Sequence, residues 1–269
     1  MKRAQAFAKL NLALVVGPLR NDGKHEVMTV LQRIDLADDI ELQAANALSV
    51  EGFENDTLVR GALAALADAA DVLPCWRARI EKRIPAAAGL GGGSSDAASA
   101  LLLANADLPD PLAPEALHGI AARIGADVPF FLREGAQLGI GDGTELASLE
   151  LPKDYHVVLL LPDSESKEST AAVYARFDER KGAAGFAERR AALLDALSGV
   201  ESSRDLARLP KNDLVSSPVA EQLEELGAFR ADVSGAGPTI YGLFEHSEDA
   251  ERAATSLRRA GRTWLAAPV

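Results

Sequence analysis

The chain has 269 residues, enough for one large domain or two modest ones, and its 48% hydrophobic and 25% charged residues exclude a disordered or fibrous protein. Its formal net charge of −12 argues against nucleic acid as the main partner, because phosphate backbones need basic stripes. Cys75 is the single cysteine, which excludes an intramolecular disulfide and a Cys-rich zinc site. That usage fits a reducing compartment.

The opening residues 4–16 are rich in apolar side chains and read as a strand that stops at Gly17-Pro18 and again at Asn21-Asp22-Gly23. Lys9 and Asn11 interrupt this run, so it does not have the form of a signal peptide. Elsewhere nothing approaches the ~18 apolar residues that span a bilayer. A soluble, cytoplasmic protein with no membrane partner is expected. Residues 40–50 alternate patchily and suggest a second strand, and residues 58–73 carry Ala and Leu at helical spacing behind a cap at Asp56 or Thr57. Trp76, Ala78 and Ile80 alternate with charged neighbours, the pattern of a half-exposed strand over 76–84. A glycine run follows, then a helix over 94–106.

Residues 114–124 predict a further helix, with Pro114 suited to its first turn. Strands and turns punctuated by Gly139, Gly141 and Gly143 occupy 128–151, and the short apolar run 155–161 suggests a strand buried on both faces. Helices are expected over 170–180, 186–197 and 218–226. Strands at 229–233 and 239–244, a helix over 248–260 and a last strand near 263–267 complete the chain. A change from strand-rich to mixed character near Pro152-Lys153-Asp154 suggests two domains, 1–152 and 153–269.

The most informative segment is Pro85-Ala86-Ala87-Ala88-Gly89-Leu90-Gly91-Gly92-Gly93-Ser94-Ser95-Asp96. Four glycines in five positions lose much conformational entropy on folding. In exchange they let backbone amides turn inward around an anion, and the helix behind them adds unpaired N–H groups and the positive end of its dipole. Strand, glycine loop and helix N-terminus together form a phosphate cradle. No lysine follows the glycines, so the loop is not of the P-loop type, and no following strand carries an acidic residue near dinucleotide-fold spacing.

The segment resembles the PxxxGLGGGSSD signature of the galactokinase, homoserine kinase, mevalonate kinase and phosphomevalonate kinase (GHMP) superfamily. Three more segments agree in the expected order: Ala8-Lys9-Leu10-Asn11, Gly125-Ala126-Asp127-Val128-Pro129 and Val233-Ser234-Gly235-Ala236-Gly237. Within the superfamily, Asp22-Gly23-Lys24-His25-Glu26, residues 31–39, Ser169-Thr170-Ala171-Ala172-Val173-Tyr174 and Lys211-Asn212-Asp213-Leu214 are similar to the 4-diphosphocytidyl-2-C-methyl-D-erythritol kinase family. That family phosphorylates the 2-hydroxyl of a cytidine-diphosphate-linked methylerythritol in non-mevalonate isoprenoid synthesis. The resemblance implies an α+β, two-lobed fold, with a ribosomal-protein-S5-like N-terminal domain and a ferredoxin-like C-terminal one.

The resemblance also implies ATP as donor, with Mg²⁺ bridging its phosphates, and it assigns roles. Pro85, Ala86, Ala87, Ala88, Gly89, Leu90, Gly91, Gly92, Gly93, Ser94 and Ser95 bind the nucleotide. Asp127 takes the proton of the acceptor hydroxyl or orients that hydroxyl, and an acid in so apolar a stretch is costly unless it is paired. Lys9 pairs with Asp127, and lowers the hydroxyl's pKa or stabilises charge on the γ-phosphate. Asn11, Lys24, His25, Thr170 and Tyr174 contact the alcohol substrate. No residue announces itself as a metal ligand, though Ser95 is one candidate, and magnesium commonly keeps waters and substrate phosphates as ligands. The family usually has Tyr where this chain has Lys24, and the ring is expected to stack on cytosine. A lysine there either lays its stem over the base or reaches a phosphate. Two other readings remain: a kinase of the same superfamily for another small alcohol, and a nucleotide-binding regulator without catalysis. The presence of both Lys9 and Asp127 argues against the latter, since a binder would need neither.

Overall fold

The computed structural model describes residues 1–54, 56–163 and 169–269. Helices and strands mix along it as in an α+β protein, the class expected. The chain forms two compact units, each assembled from separate segments. One comprises Met1–Ala8, Leu36–Ala86 and Gly91–Glu134, and the other Lys9–Asp35, Ala87–Leu90 and Gly135–Val269. Two long strands, β1 (Lys2–Leu19) and β2 (His25–Ala44), pair with each other and give residues to both units.

In the first unit the end of β2 pairs antiparallel with β4 (Trp76–Glu81), Ile40 lying opposite Ile80. A short β3 (Ser49–Glu51) adds to β4 in parallel. The alternation in β4 buries Trp76, Ala78 and Ile80 and exposes Arg77, Arg79 and Glu81, as period-two patterning requires. Three helices complete the unit: α1 (Leu58–Ala69), α2 (Gly92–Asn105) and α3 (Pro114–Ile124). α1 packs on α2 and α3 through Val59, Leu63 and Leu66, one helical face. Asp56, one of the two expected caps, accepts the N–H groups of Val59 and Arg60 at 3.1 Å each and so starts α1.

In the second unit the beginning of β2 pairs with β5 (Ala136–Gly141), Val30 opposite Leu138, and β5 pairs with β6 (Glu145–Leu149). A separate four-stranded sheet contains β7 (His156–Pro162), β8 (Arg230–Val233), β9 (Ile240–Phe244) and β10 (Gly261–Ala266). Its order is β10-β7-β9-β8 and every pair is antiparallel. α4 (Thr170–Glu179), α5 (Phe186–Ser198) and α6 (Pro218–Glu225) connect β7 to β8, and α7 (Ser247–Ser256) connects β9 to β10. This is the split βαββαβ arrangement expected of a ferredoxin-like half. Val158, Leu160, Leu223, Val233, Ile240 and Leu257 form its core. A second cluster, Leu14, Val16, Val173, Phe177 and Leu214, fastens β1 to α4 and thereby sets where β1 carries its polar side chains.

Candidate active site

In the first unit the backbone that leads into the glycine run is held by Asp38 of β2. This fully buried carboxylate accepts the N–H groups of Arg83 at 2.5 Å and Ile84 at 2.8 Å, and also the Lys82 ammonium. The backbone leading to Pro85 and Ala86 is thus fixed. Lys82 bonds in turn to Asp96 of α2 at 2.8 Å. Burial drives the Asp96 pKa upward, against the pull of the Lys82 cation, to about 7. Asp96 has the Lys82 ammonium as donor, whereas Asp38 accepts from Lys82, Arg83 and Ile84, so burial dominates at Asp96. Sequence reading did not single out Lys82, and it took Asp38 and Asp96 only as letters of motifs.

α2 begins at Gly92, with Gly91 as its N-cap at φ 71°, in the left-handed region that glycine favours. No side chain caps this end and no acidic residue occupies the first turn. Ser95 is the first residue whose N–H turns back, to Gly91 O at 2.9 Å. The amides of Gly92, Gly93 and Ser94 are therefore the free donors of a helix N-terminus. They suit the phosphate oxygens of a nucleotide, and the helix dipole favours the same charge. Ser94 is partly exposed there, whereas Ser95 is buried. Asp127 lies half-buried in the turn between α3 and a short 3-10 helix, Pro129–Leu132, whose Phe130 and Phe131 are buried.

In the second unit Lys9 and Asn11 stand two residues apart on β1 and so share a face. Both are buried, and the Lys9 ammonium donates to Asn11 Oδ1 at 2.5 Å. Asn11 Nδ2 donates to Thr29 Oγ1 at 2.8 Å, and that hydroxyl donates to Ala13 O at 2.8 Å, which orients the amide. The second glycine loop closes over the pair. A Cβ on Gly235 would lie 3.2 Å from Asn11 Oδ1 and 3.3 Å from Lys9 Nζ, so a larger residue there would push against both. Asn212 supports the loop by donating to Val233 O at 2.9 Å and Gly235 O at 2.6 Å, which explains the Lys211-Asn212-Asp213-Leu214 segment. Ala87, Ala88, Gly89 and Leu90 fall in this unit. Leu90 O accepts Lys9 N–H at 2.9 Å, Gly89 O accepts the Ser234 hydroxyl at 3.0 Å, and Ala88 O accepts Thr239 N–H at 3.2 Å.

His25 opens β2, and its ring lies 5.0 Å from that of Tyr174, tilted by 30°. Phe177 meets the same imidazole edge-on at 5.7 Å, Gly17 O lies 2.9 Å from Nδ1, and Asp178 is 3.3 Å from Nε2. The structure thus brings the expected His25 and Tyr174 together and adds Phe177 and Asp178, which sequence reading passed over. Both lie three or four residues after Tyr174, one helical turn further along α4. Thr170 is exposed at the first position of α4, which Ser169 caps by accepting Ala172 N–H at 3.1 Å. Lys24 reaches to Asp142, in the turn between β5 and β6, at 2.5 Å. Among the described residues, no group of three or more His, Cys, Asp or Glu side chains could hold a metal ion.

Residues 57–135 match the family model for the GHMP kinases N terminal domain, and residues 215–263 match that for GHMP kinases C terminal. A 4-diphosphocytidyl-2-C-methyl-D-erythritol kinase of Salinispora arenicola (strain CNS-205) is 37% identical over 277 residues, covering 95% of this chain and 87% of the relative. One of Geobacter sulfurreducens is 36% identical over 279 residues, covering 98% and 97%. A crystal structure of 4-(cytidine 5'-diphospho)-2C-methyl-D-erythritol kinase superposes with a TM-score of 0.79 and 32% identity over 99% of both chains. A mevalonate kinase structure superposes at 0.76 with 12% identity and shares the fold alone. At these identities over nearly the whole length of both chains, this chain belongs to the 4-diphosphocytidyl-2-C-methyl-D-erythritol kinase family of GHMP kinases.

Proposed function

We propose that the chain transfers the γ-phosphoryl group of ATP to the 2-hydroxyl of 4-diphosphocytidyl-2-C-methyl-D-erythritol, in isoprenoid precursor synthesis. The observation that carries this reading is the buried Lys9–Asn11 pair on β1 with Gly235 packed against both side chains. Two residues that disrupt an apolar strand and bond to each other at 2.5 Å beside a glycine loop have little value as core packing. As a cation fixed within a preformed hydrogen-bond network, Lys9 is suited to developing phosphoryl charge.

The free amides at the start of α2 and the glycines before it receive the triphosphate. Bound ATP would supply the transferable phosphoryl group, and an accompanying Mg²⁺, with Ser95 as a candidate ligand, would neutralise charge on its phosphates. The substrate oxygen attacks the γ-phosphorus, the bond to the β–γ bridging oxygen breaks, and ADP leaves. Asp127 takes the proton released by the hydroxyl or orients that hydroxyl. Lys9 opposes the negative charge, and Asn11 holds Lys9 in place. His25, Tyr174, Thr170 and Lys24 take the cytidine-linked alcohol, His25 offering a polar edge and Tyr174 a ring face. With one cysteine, and no helix long and apolar enough to cross a membrane among the described residues, the cytoplasm is the proposed location.

A coupled ATP-consumption assay across a panel of small alcohols tests the reading. Turnover is expected with the cytidine-diphosphate-linked alcohol, far above homoserine, mevalonate or galactose. Preference for one of those would overturn it.

A further inference from the structure

Among the described residues, the largest fully buried side chain belongs to Arg230, the first residue of β8, with 1% of its surface exposed. Its guanidinium lies 3.4 Å from the Asp232 carboxylate and donates mostly to backbone carbonyls: Leu12 at 2.6 Å, Leu209 at 2.6 Å, Pro210 at 3.0 Å and Leu206 at 3.3 Å. Burying such a cation carries a large desolvation penalty, and an apolar side chain of like volume would fill the space without it. The contacts themselves indicate what is gained. Leu12 O belongs to β1, one residue beyond Asn11.

Tyr241 of β9 converges on the same place. Its hydroxyl donates to Asn11 O at 3.1 Å and lies 3.4 Å from Leu12 O, while Arg230 Nε lies 3.4 Å from the Tyr241 oxygen. Burial pushes the Tyr241 pKa up to about 12, so the hydroxyl keeps its proton at any working pH. Ser234 adds a third tie by accepting Asn11 N–H at 3.3 Å. Consecutive carbonyls of a regular strand point in opposite directions, yet one hydroxyl approaches both here. The β1 backbone at Asn11 and Leu12 is held from the β8–β9 hairpin.

We infer that Arg230 and Tyr241 are positioning residues for phosphoryl transfer, holding the β1 backbone so that Lys9 and Asn11 keep their place beneath the second glycine loop. The inference rests on the proposed role of Lys9. Arg230 and Tyr241 need touch neither substrate, because they act on the strand that carries the lysine. Small displacements of a reacting group have large effects on rate, so loosening this strand should lower kcat while leaving nucleotide affinity intact.

The decisive variant is Tyr241→Phe, which removes one oxygen and keeps the ring in its buried site. Loss of a single buried hydrogen bond of this kind predicts a fall in kcat of roughly fivefold. The Michaelis constant for ATP should stay near wild type, and the melting temperature should fall by only a few degrees. In a Lys9→Ala background the same change should have little further effect, because its route to the chemistry is already gone. Arg230→Lys, which cannot reach four carbonyls at once, should lower kcat further. Should Arg230→Lys fail to fold, the Tyr241 pair of measurements still decides. Wild-type kcat in Tyr241→Phe, or an equal loss with and without Lys9, would overturn the positioning role. Failure of the underlying functional reading looks different: Lys9→Ala alone would then keep wild-type turnover.

Discussion

The Lys24 ammonium lies 2.5 Å from the Asp142 carboxylate, joining the turn between β1 and β2 to the turn between β5 and β6. Asp142 also accepts from the Thr144 hydroxyl at 2.6 Å and its N–H at 3.2 Å. Although its partial burial acts the other way, these bonds hold its pKa down at about 2. Lys24 is thus an anchored cation in the turn just before His25, the first residue of β2. Replacing Lys24 with Tyr gives up this half-exposed ion pair, a loss of at most about 1 kcal/mol in stability. It offers an aromatic face for cytosine, worth ~1–3 kcal/mol. The Michaelis constant for the cytidine-linked alcohol is expected to fall about fivefold, with kcat and the ATP constant unchanged. Steady-state kinetics on Lys24→Tyr decide the point, and a clear rise would count against base stacking at this position.

Gly91 caps α2 at φ 71° without a side chain, and the amides behind it form the proposed phosphate cradle. A β-branched residue there is strained and crowds the approach of a phosphate. Gly91→Val is predicted to lose measurable ATP binding by calorimetry while its circular dichroism stays that of the folded protein. Wild-type ATP affinity in this variant would remove the loop from the nucleotide site.

Asp127 is proposed to act on the acceptor hydroxyl, a role felt in the transition state. Asp127→Asn keeps the shape of the side chain and removes its capacity as a base. Turnover should fall by ~10²–10⁴-fold with ATP affinity nearly unchanged. Near-normal turnover would exclude Asp127 from the chemistry.

How much of this was legible in the sequence varied with the range of the interactions. Helix α3 was read to the residue, because Pro114 and Gly125 mark its ends locally. Most of β2 was missed: its first half is buried almost continuously from Val27 to Gln32, so no alternation betrays it. The glycine loop, Lys9 and Asn11 stood out because each breaks a local pattern. Asp38 did not, since its partners Lys82, Arg83 and Ile84 lie 44 to 46 residues away. Asp142 is 118 residues from Lys24, and Arg230 is 218 from Leu12. A carboxylate or guanidinium whose partners are assigned only by folding looks, in sequence, like any surface charge.

The Asp38–Lys82–Asp96 cluster gives a prediction for stability. The folded-state pKa of Asp96 is raised above its ordinary 3.8. The folded protein therefore holds a proton that the unfolded chain releases, and the associated stability is present below about pH 4 and lost as pH rises through about 7. Asp96→Asn mimics the neutral acid and keeps an acceptor for Lys82. Its melting temperature should decline less than that of wild type between pH 5 and 8 (a range of ~3 units around the Asp96 transition), and should exceed wild type at the upper end. Parallel melting curves for the two proteins across this range would contradict a protonated Asp96.

The central claim is that this chain places a phosphoryl group on one hydroxyl of a cytidine-linked alcohol, using ATP, through Lys9 and Asp127. The most direct measurement is ³¹P nuclear magnetic resonance of the reaction of wild-type enzyme, MgATP and 4-diphosphocytidyl-2-C-methyl-D-erythritol, with Lys9→Ala and Asp127→Asn run beside it. The predicted result is one new phosphomonoester signal without three-bond proton splitting, as an ester at the quaternary 2-carbon requires, forming in step with ADP and nearly absent in both variants. ADP accompanied only by inorganic phosphate, or a phosphomonoester at another position, would contradict the account.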